Sequence, residues 1–274
     1  MSRIGLHLRL EDSLLNVARQ AIALELPFFQ SFLVVRAHNG SLLVPSDREI
    51  TQFRKLCERR FTYLYAHAPF WLNLADPARS SLDGLWNHLM LAQRLGFTHL
   101  IIHPGSSVRA TKQQGIEMVS RTLNQVLKRE STVTIVLENT AHGERAVGSD
   151  IDDLFHIRSL LDKPEKVQFC IDTAHAHVYG YQLYTPAMMD TFLHEVIQRF
   201  GVDAIGLLHL NDASDLHGSF KDRHALLGMG TLGEQPLRAT IQYNPLHQVP
   251  IIIEPPVLAH EALGDLYTVV QEWQ

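Results

Sequence analysis

Eight short apolar runs, each followed by a polar or amphipathic stretch, restrict the folds open to this chain more than any other feature. The runs are Ile4–Leu8, Phe28–Val35, Tyr63–Ala66, His99–Ile102, Thr134–Leu137, Val167–Ile171, Ile205–Leu210 and Pro250–Ile253. Most are continuous Val, Ile, Leu and Phe rather than alternating, the pattern of a strand covered on both faces. Helical periodicity between them includes Leu14–Leu24, Asp47–Arg59, Leu82–Leu95, Gly115–Lys128, Asp150–Leu161 and Pro186–Phe200, and Ala259–Trp273 follows the last run. Thr185 as N-cap with Pro186 at the first helical position is a start signal, and Gly148-Ser149-Asp150 offers another. Alternating strands and helices leave either a closed (β/α)8 TIM barrel or a long doubly wound sheet. A Rossmann sheet needs a Gly-rich turn after its first strand, which Gly5-Leu6-His7-Leu8-Arg9-Leu10 does not supply. The count of eight favours the α/β barrel, for which 274 residues is an ordinary length. No repeat, low-complexity tract or linker divides the chain, so a single domain over 1–274 is expected. One stretch, Asp212–Gly233, is too long and polar for an ordinary strand-to-helix loop, and such loops are often functional.

Composition removes several classes. Cys57 and Cys170 are the only cysteines, which argues against a disulfide framework and a cysteine-based zinc site. Met1–Arg9 lacks the order of a signal peptide, and no apolar run approaches membrane-spanning length, so a soluble, cytoplasmic protein is expected. A net charge of −5 is not the basic signature of a nucleic-acid binder. Bound divalent cations can nevertheless reverse the local sign at an acidic, His-rich mouth. Histidine is the unusual count, at 16, and imidazole suits borderline-soft metals.

The chemistry lies in where polar residues interrupt the apolar pattern. His67, His103, Glu138, Asp172, His209 and Glu254 stand at or just past the ends of six of the eight runs. The C-terminal strand ends of a barrel converge on one mouth, where active sites are built. Taken singly, such a histidine is more often a hydrogen-bonded core residue, and such a carboxylate a helix cap. Together they crowd charge into a water-poor space, which is costly unless neutralised, and divalent metals are the natural neutraliser. His175, three residues past Asp172, joins them if the chain turns there. Asp222 and His224, two apart in the long loop, face one side of an extended segment.

At this point the sequence resembles the endonuclease IV (family 2 apurinic/apyrimidinic endonuclease) group of xylose-isomerase-like barrels. The resemblance runs over nearly the whole chain. It is carried by Ile102-His103-Pro104-Gly105, Leu137-Glu138-Asn139-Thr140, Ile171-Asp172-Thr173-Ala174-His175 and His209-Leu210-Asn211-Asp212. Most specific is Gly218-Ser219-Phe220-Lys221-Asp222-Arg223-His224, followed by Gly228-Met229-Gly230 and Gly233. In that family nine residues hold three zinc ions, and each matching position here carries a competent ligand. The resemblance implies a first zinc on His67, His103 and Glu138. A second would rest on the bridging Glu138 with Asp172, His209 and Glu254, and a third on His175, Asp222 and His224. Manganese is possible at some of these sites. The implied reaction is hydrolysis of the phosphodiester 5′ to an abasic site, deoxyribonuclease IV chemistry in base excision repair. Water activated between two metals attacks phosphorus without a covalent intermediate, and Glu138 helps orient it.

The implied partner is double-stranded DNA with abasic or 3′-blocked sites, met by a monomer that makes no membrane contact. The expected DNA contacts are Arg36, Phe70 and Arg223, and here the sequence departs from the family. Leu33-Val34-Val35-Arg36-Ala37-His38-Asn39 replaces a more polar, Arg-containing segment. Phe70, then Trp71, stands where a tyrosine is common, either as an aromatic wedge or packed beneath a loop. Met229 replaces an acidic residue and Ala174 a cysteine. Two other functions compete. A sugar isomerase or epimerase would hold one ion on Glu138, Asp172, His209 and Glu254, leaving His67, His103, Asp222 and His224 without a shared purpose. A catalytically silent barrel would bind damaged DNA without cutting it.

Overall fold

The computed structural model describes residues 2–36, 42–76, 81–143 and 145–274, and the Arg36 side chain lies outside the described set. Eight parallel strands close into a barrel. They are β1 (Ile4–His7), β2 (Phe29–Phe32), β3 (Tyr65–His67), β4 (His99–Ile102), β5 (Thr134–Glu138), β6 (Val167–Asp172), β7 (Ile205–His209) and β8 (Ile251–Ile253). Each pairs with its sequence neighbours, and β8 returns to β1 with Ile4 opposite Ile251 and Leu6 opposite Ile253. The helices are α1 (Leu14–Ala23), α2 (Asp47–Cys57), α3 (Leu82–Leu95), α4 (Lys112–Val126), α5 (Ile151–Ser159), α6 (Thr173–Tyr179), α7 (Pro186–Phe200), α8 (Glu234–Gln242) and α9 (His260–Gln271).

Two sets of buried apolar residues build this shape. The larger fills the space between strands and helices, from Ile4 and Leu6 through Leu85, Leu123, Leu193 and Leu237 to Val270. The smaller is the plug of the barrel itself. Tyr65, Ile101, Val136, Cys170, Leu207 and Ile252, one from each of β3 to β8, meet Phe28 on the axis. Gly5 of β1 faces the same interior, because a Cβ there would stand 2.6 Å from the Phe28 ring and 2.7 Å from its carbonyl oxygen. The missing side chain gives Phe28 its room. A register shift after Phe169 sets Cys170 opposite Leu207 and Asp172 opposite His209, with Gly206 as the extra residue. A Cβ on Gly206 would meet the Gln168 amide oxygen at 2.3 Å.

The elements differ from the sequence expectation mainly at their edges. The second run breaks after Phe32, and Val35–Arg36 leaves the barrel to pair antiparallel with Leu42–Leu43. The third run begins at Tyr65 instead of Tyr63, whose ring is about half exposed. α4 begins at Lys112, three residues early, because Thr111 and Gln114 form a reciprocal capping box. The helical readings did not include α6 and α8. α6 starts directly at Thr173, with the Asp172 carboxylate accepting from the His175 amide as its N-cap. Among the described residues, no helix is long and apolar enough to cross a membrane.

Two glycines should respond to alanine with opposite sign. Gly5→Ala overpacks the plug and should destabilise by about 1–3 kcal/mol. Gly264→Ala, inside α9 with its Cβ at an ordinary 3.5 Å from Leu24, should stabilise by about 0.5–1 kcal/mol. Urea denaturation of both variants checks the pair.

Candidate metal centre

Side chains on a strand alternate faces, so the residue two positions beyond each member of the plug points inward one layer nearer the mouth. Applied to Tyr65, Ile101, Val136, Cys170, Leu207 and Ile252, this step gives His67, His103, Glu138, Asp172, His209 and Glu254. Applied to Gly5 and Phe28, it gives His7 and Gln30. The eight residues form one polar layer resting on the apolar plug. The sequence reading missed His7 and Gln30 because both lie inside their apolar runs and it looked only at run ends. Counting by two from Gly5 and Phe28 would have found them.

Glu138 is the hub. Fully buried, it presents Oε2 to His67 Nε2 and His103 Nε2, both at 3.0 Å. Its Oε1 lies 2.6 Å from His209 Nδ1 and 3.6 Å from His175 Nδ1. Burial opposes its charge, but His209 and His103 hold the carboxyl well below its ordinary range. Glu254 Oε2 lies 3.6 Å from His209 Nδ1, and Asp172 Oδ2 lies 3.9 Å from the same nitrogen. On the far side of Asp172, Asp222 Oδ1 is 3.1 Å from His175 Nε2 and 3.4 Å from His224 Nε2. The structure therefore brings all nine expected ligand residues into one connected cluster.

Most of these imidazoles are pinned from behind. Nδ1 of His67 donates to Ala68 O at 2.7 Å, that of His175 to Asn139 O at 2.8 Å, and that of His224 to Glu254 O at 3.1 Å. His209 uses its other nitrogen, with Nε2 donating to Gln30 Oε1 at 2.9 Å. Since an oxygen can only accept there, the N–H is fixed behind and the second ring nitrogen faces the carboxylates, as in metal-binding histidines. Gln30 Nε2 donates to Glu254 Oε1 at 2.6 Å, and Asn211 Nδ2 donates to Asp172 Oδ2 at 2.6 Å and Glu254 Oε2 at 3.1 Å.

Three observations fit a metal to these residues. The donor atoms of His67, His103 and Glu138, of Glu138, Asp172, His209 and Glu254, and of Asp172, His175 and His224 all lie within 4.8 Å of one another in their groups. Tetrahedral ligands bonded at about 2.0–2.2 Å stand roughly 3.4 Å apart, close to the 3.0–3.9 Å spacings of most contacts here. Among the described residues, His224 Nε2 is buried without a hydrogen-bond partner although it faces Asp172 and Asp222. Without a cation, charge balance falls to protons: burial works against it, yet Asp172 and Asp222 raise His175 well above its ordinary value. Burial likewise opposes a charge on His209, and Cys170, Glu138 and Glu254 raise it.

Of the third group, His175 lies on α6, and Asp222 and His224 come from a hairpin loop. Asp212–Ala213 pairs antiparallel with His224–Ala225. The Asp212 carboxylate gathers the rest of the loop, accepting from the amides of Gly228, Gly230 and Leu232 at 2.9–3.0 Å. Gly230 has no alternative, since a Cβ would meet Ala213 O at 2.4 Å. Asp222 and His224 turn inward as their spacing anticipated. Arg223 turns outward and forks onto Asp215 at 2.6 and 2.5 Å, so its charge is already paired. Phe70 is 85% exposed, its ring edge-on to Trp71 at 5.3 Å, so it is not packed beneath a loop. The Arg36 side chain and residues 37–39 lie outside the described residues.

Residues 22–266 match the family described as xylose isomerase-like TIM barrel. A probable endonuclease 4 of Nitrosopumilus maritimus is 34% identical over 263 residues, covering 93% of this chain and 94% of that protein. The chain belongs to the endonuclease IV family. A second member, the probable endonuclease 4 of Thermotoga maritima, is 28% identical over 99% of this chain and 96% of its own. The crystal structure of endonuclease IV from Thermus thermophilus superposes with a TM-score of 0.82 at 26% identity, covering 99% of this chain and 98% of that one. A D-tagatose 3-epimerase-like protein, 16% identical with a TM-score of 0.74, shares the fold, which extends beyond endonuclease IV.

Two outcomes follow from the pinned imidazoles. Gln30→Leu frees His209 and Glu254 and should lower metal affinity about 10–100-fold with the fold intact, as measured by competition with a coloured chelator. Because His175 and His209 hold protons more tightly than free imidazole, metal uptake should release protons, and affinity should strengthen as pH rises. Calorimetry in buffers of different ionisation enthalpy reads that release.

Proposed function

We propose that this chain is a zinc-dependent apurinic/apyrimidinic endonuclease that hydrolyses the phosphodiester 5′ to abasic sites in duplex DNA. The observation that carries the reading is the third donor group. His175 from α6 meets Asp222 and His224 from the long loop beside Asp172, outside the strand-end layer. A sugar isomerase working with one ion on Glu138, Asp172, His209 and Glu254 has no use for them, or for His67 and His103.

His67, His103 and Glu138 would hold one ion, Glu138 with Asp172, His209 and Glu254 a second, and His175, Asp222 and His224 a third. Zinc is the ion expected, with manganese possible at some positions. Bound there, the ions supply a water of lowered pKa and positive charge against the phosphate oxygens. The chain's own work is positioning. Glu138 divides its two oxygens between the first and second groups, which fixes their separation and leaves a defined place between them. Gln30 and Asn211 hold Glu254 and Asp172 from behind, so the carboxylates do not swing toward solvent. The apolar plug closes the barrel below, so substrate and water enter only at the mouth. Phe70 stands at that rim, free to wedge into a distorted duplex.

The deciding experiment is incision of a duplex carrying one abasic site, with and without a chelator, alongside metal analysis. Nicking 5′ to the site, lost on chelation and restored by zinc, with three ions per chain, is expected. A single ion and no nicking would return the barrel to sugar chemistry, and binding without nicking would make it a silent DNA-binding barrel. Glu138→Gln should keep the fold and lose at least about 100–1,000-fold in incision rate, and normal nicking by it would overturn the mechanism. Phe70→Ala should weaken DNA binding roughly tenfold in a fluorescence titration while leaving metal content unchanged.

A further inference from the structure

Beyond the metal mouth, a cavity of about 360 Å³ is lined, among the described residues, by Asp150, Tyr179, Gly180, Tyr181 and Phe220. Three of these five residues are aromatic, one has no side chain, and the last is a carboxylate. The Tyr179 and Tyr181 rings lie 5.8 Å apart at 42°, and Tyr179 and Phe220 lie 6.0 Å apart at 68°. Both tyrosine hydroxyls donate to the Asp150 carboxylate, at 3.4 and 3.1 Å. Asp150 also caps α5, accepting from the Asp152 amide at 3.0 Å. The hydroxyls are thereby committed to the carboxylate, while the ring surfaces are left to line the cavity.

Phe220 is held in place at a conformational cost. Its φ of 58° lies in the left-handed region that bulky side chains rarely adopt, and such outliers concentrate at binding and catalytic sites. Its amide donates to Val178 O at 2.9 Å, which fixes the turn against α6. Gly180 has nothing within 4 Å of where a Cβ would stand, so the opening stays clear.

The inclination of the rings selects the ligand. A flat nucleobase stacks between parallel faces, and none of these pairs is parallel. Mutually inclined rings with a carboxylate beside them suit a cation, because aromatic faces carry negative electrostatic potential. No cationic side chain lines the cavity among the described residues. We propose that this aromatic cavity binds an alkylammonium group, carried either by a free polyamine or by a lysine side chain of a partner protein. The site is independent of the metals, although Tyr179 lies one helical turn, about 6 Å along α6, from His175.

The test titrates tetramethylammonium into the intact, metal-loaded protein and follows the methyl proton resonance of the probe. A saturable upfield shift is expected, because the methyls then sit against ring faces. Neopentyl alcohol, neutral and of similar size with a tert-butyl group of the same bulk, should bind at least about tenfold more weakly. Phe220→Ala should weaken tetramethylammonium about tenfold, and Asp150→Asn, which keeps a capping side chain, at least about threefold. Tyr179→Phe retains the ring and should retain most binding, and Asp150→Asn keeps the test open should Phe220→Ala fail to fold. Spermidine and a lysine-rich peptide separate the two sources, and the tighter binder identifies which of them the cavity serves. No shift, equal binding of neopentyl alcohol, or unchanged binding by folded Phe220→Ala and Asp150→Asn would each overturn the proposal.

Discussion

The architecture turns on the burial of one charge. Glu138 has no exposed surface, and a carboxylate in that position is tolerated only when neighbouring groups replace the water it has lost. Three imidazoles do so directly, and each of those rings stands at the end of a different strand. The barrel must therefore close in one register for Glu138 to be satisfied at all. The shift at Gly206 belongs to the same constraint. With the extra residue absorbed, His209 comes opposite Asp172 and faces the axis, and without it the side chains of β7 would alternate the other way.

Polar and apolar layers divide the barrel interior between stability and chemistry. The plug of Tyr65, Ile101, Val136, Cys170, Leu207 and Ile252 gives the fold its dry centre and, by period two, dictates which residues reach the layer above. That upper layer is held by side-chain amides and backbone carbonyls instead of by packing. Gln30 and Asn211 add no charge, yet they decide where Glu254, Asp172 and His209 point. Membership of the endonuclease IV family agrees with this division.

Much of this was legible in the sequence, for reasons particular residues make plain. Continuous apolar runs identified all eight strands, because a strand covered on both faces leaves a dense signal. Six polar residues at run ends identified most of the upper layer. His7 and Gln30 escaped because their strands continue an apolar run past the polar position, through Leu8 and through Leu33 and Val34. α6 was hidden by its start, where the helix begins on the strand's last residue and Asp172 serves both as strand end and N-cap. The pairing of Arg223 with Asp215 joins residues eight apart across a loop, which no local periodicity records. Phe70 could be read two ways from sequence, and only its exposure separates them.

The donors around Asp172 do not share one origin in the folding of the chain. Those on the strands take their places when the barrel closes, because register alone puts them there. Asp222 and His224 arrive with the hairpin, and the hairpin is organised by Asp212, a single carboxylate gathering the amides of Gly228, Gly230 and Leu232. The candidate metal cluster is thus held in place by two different means, barrel register for the strand donors and one loop carboxylate for Asp222 and His224.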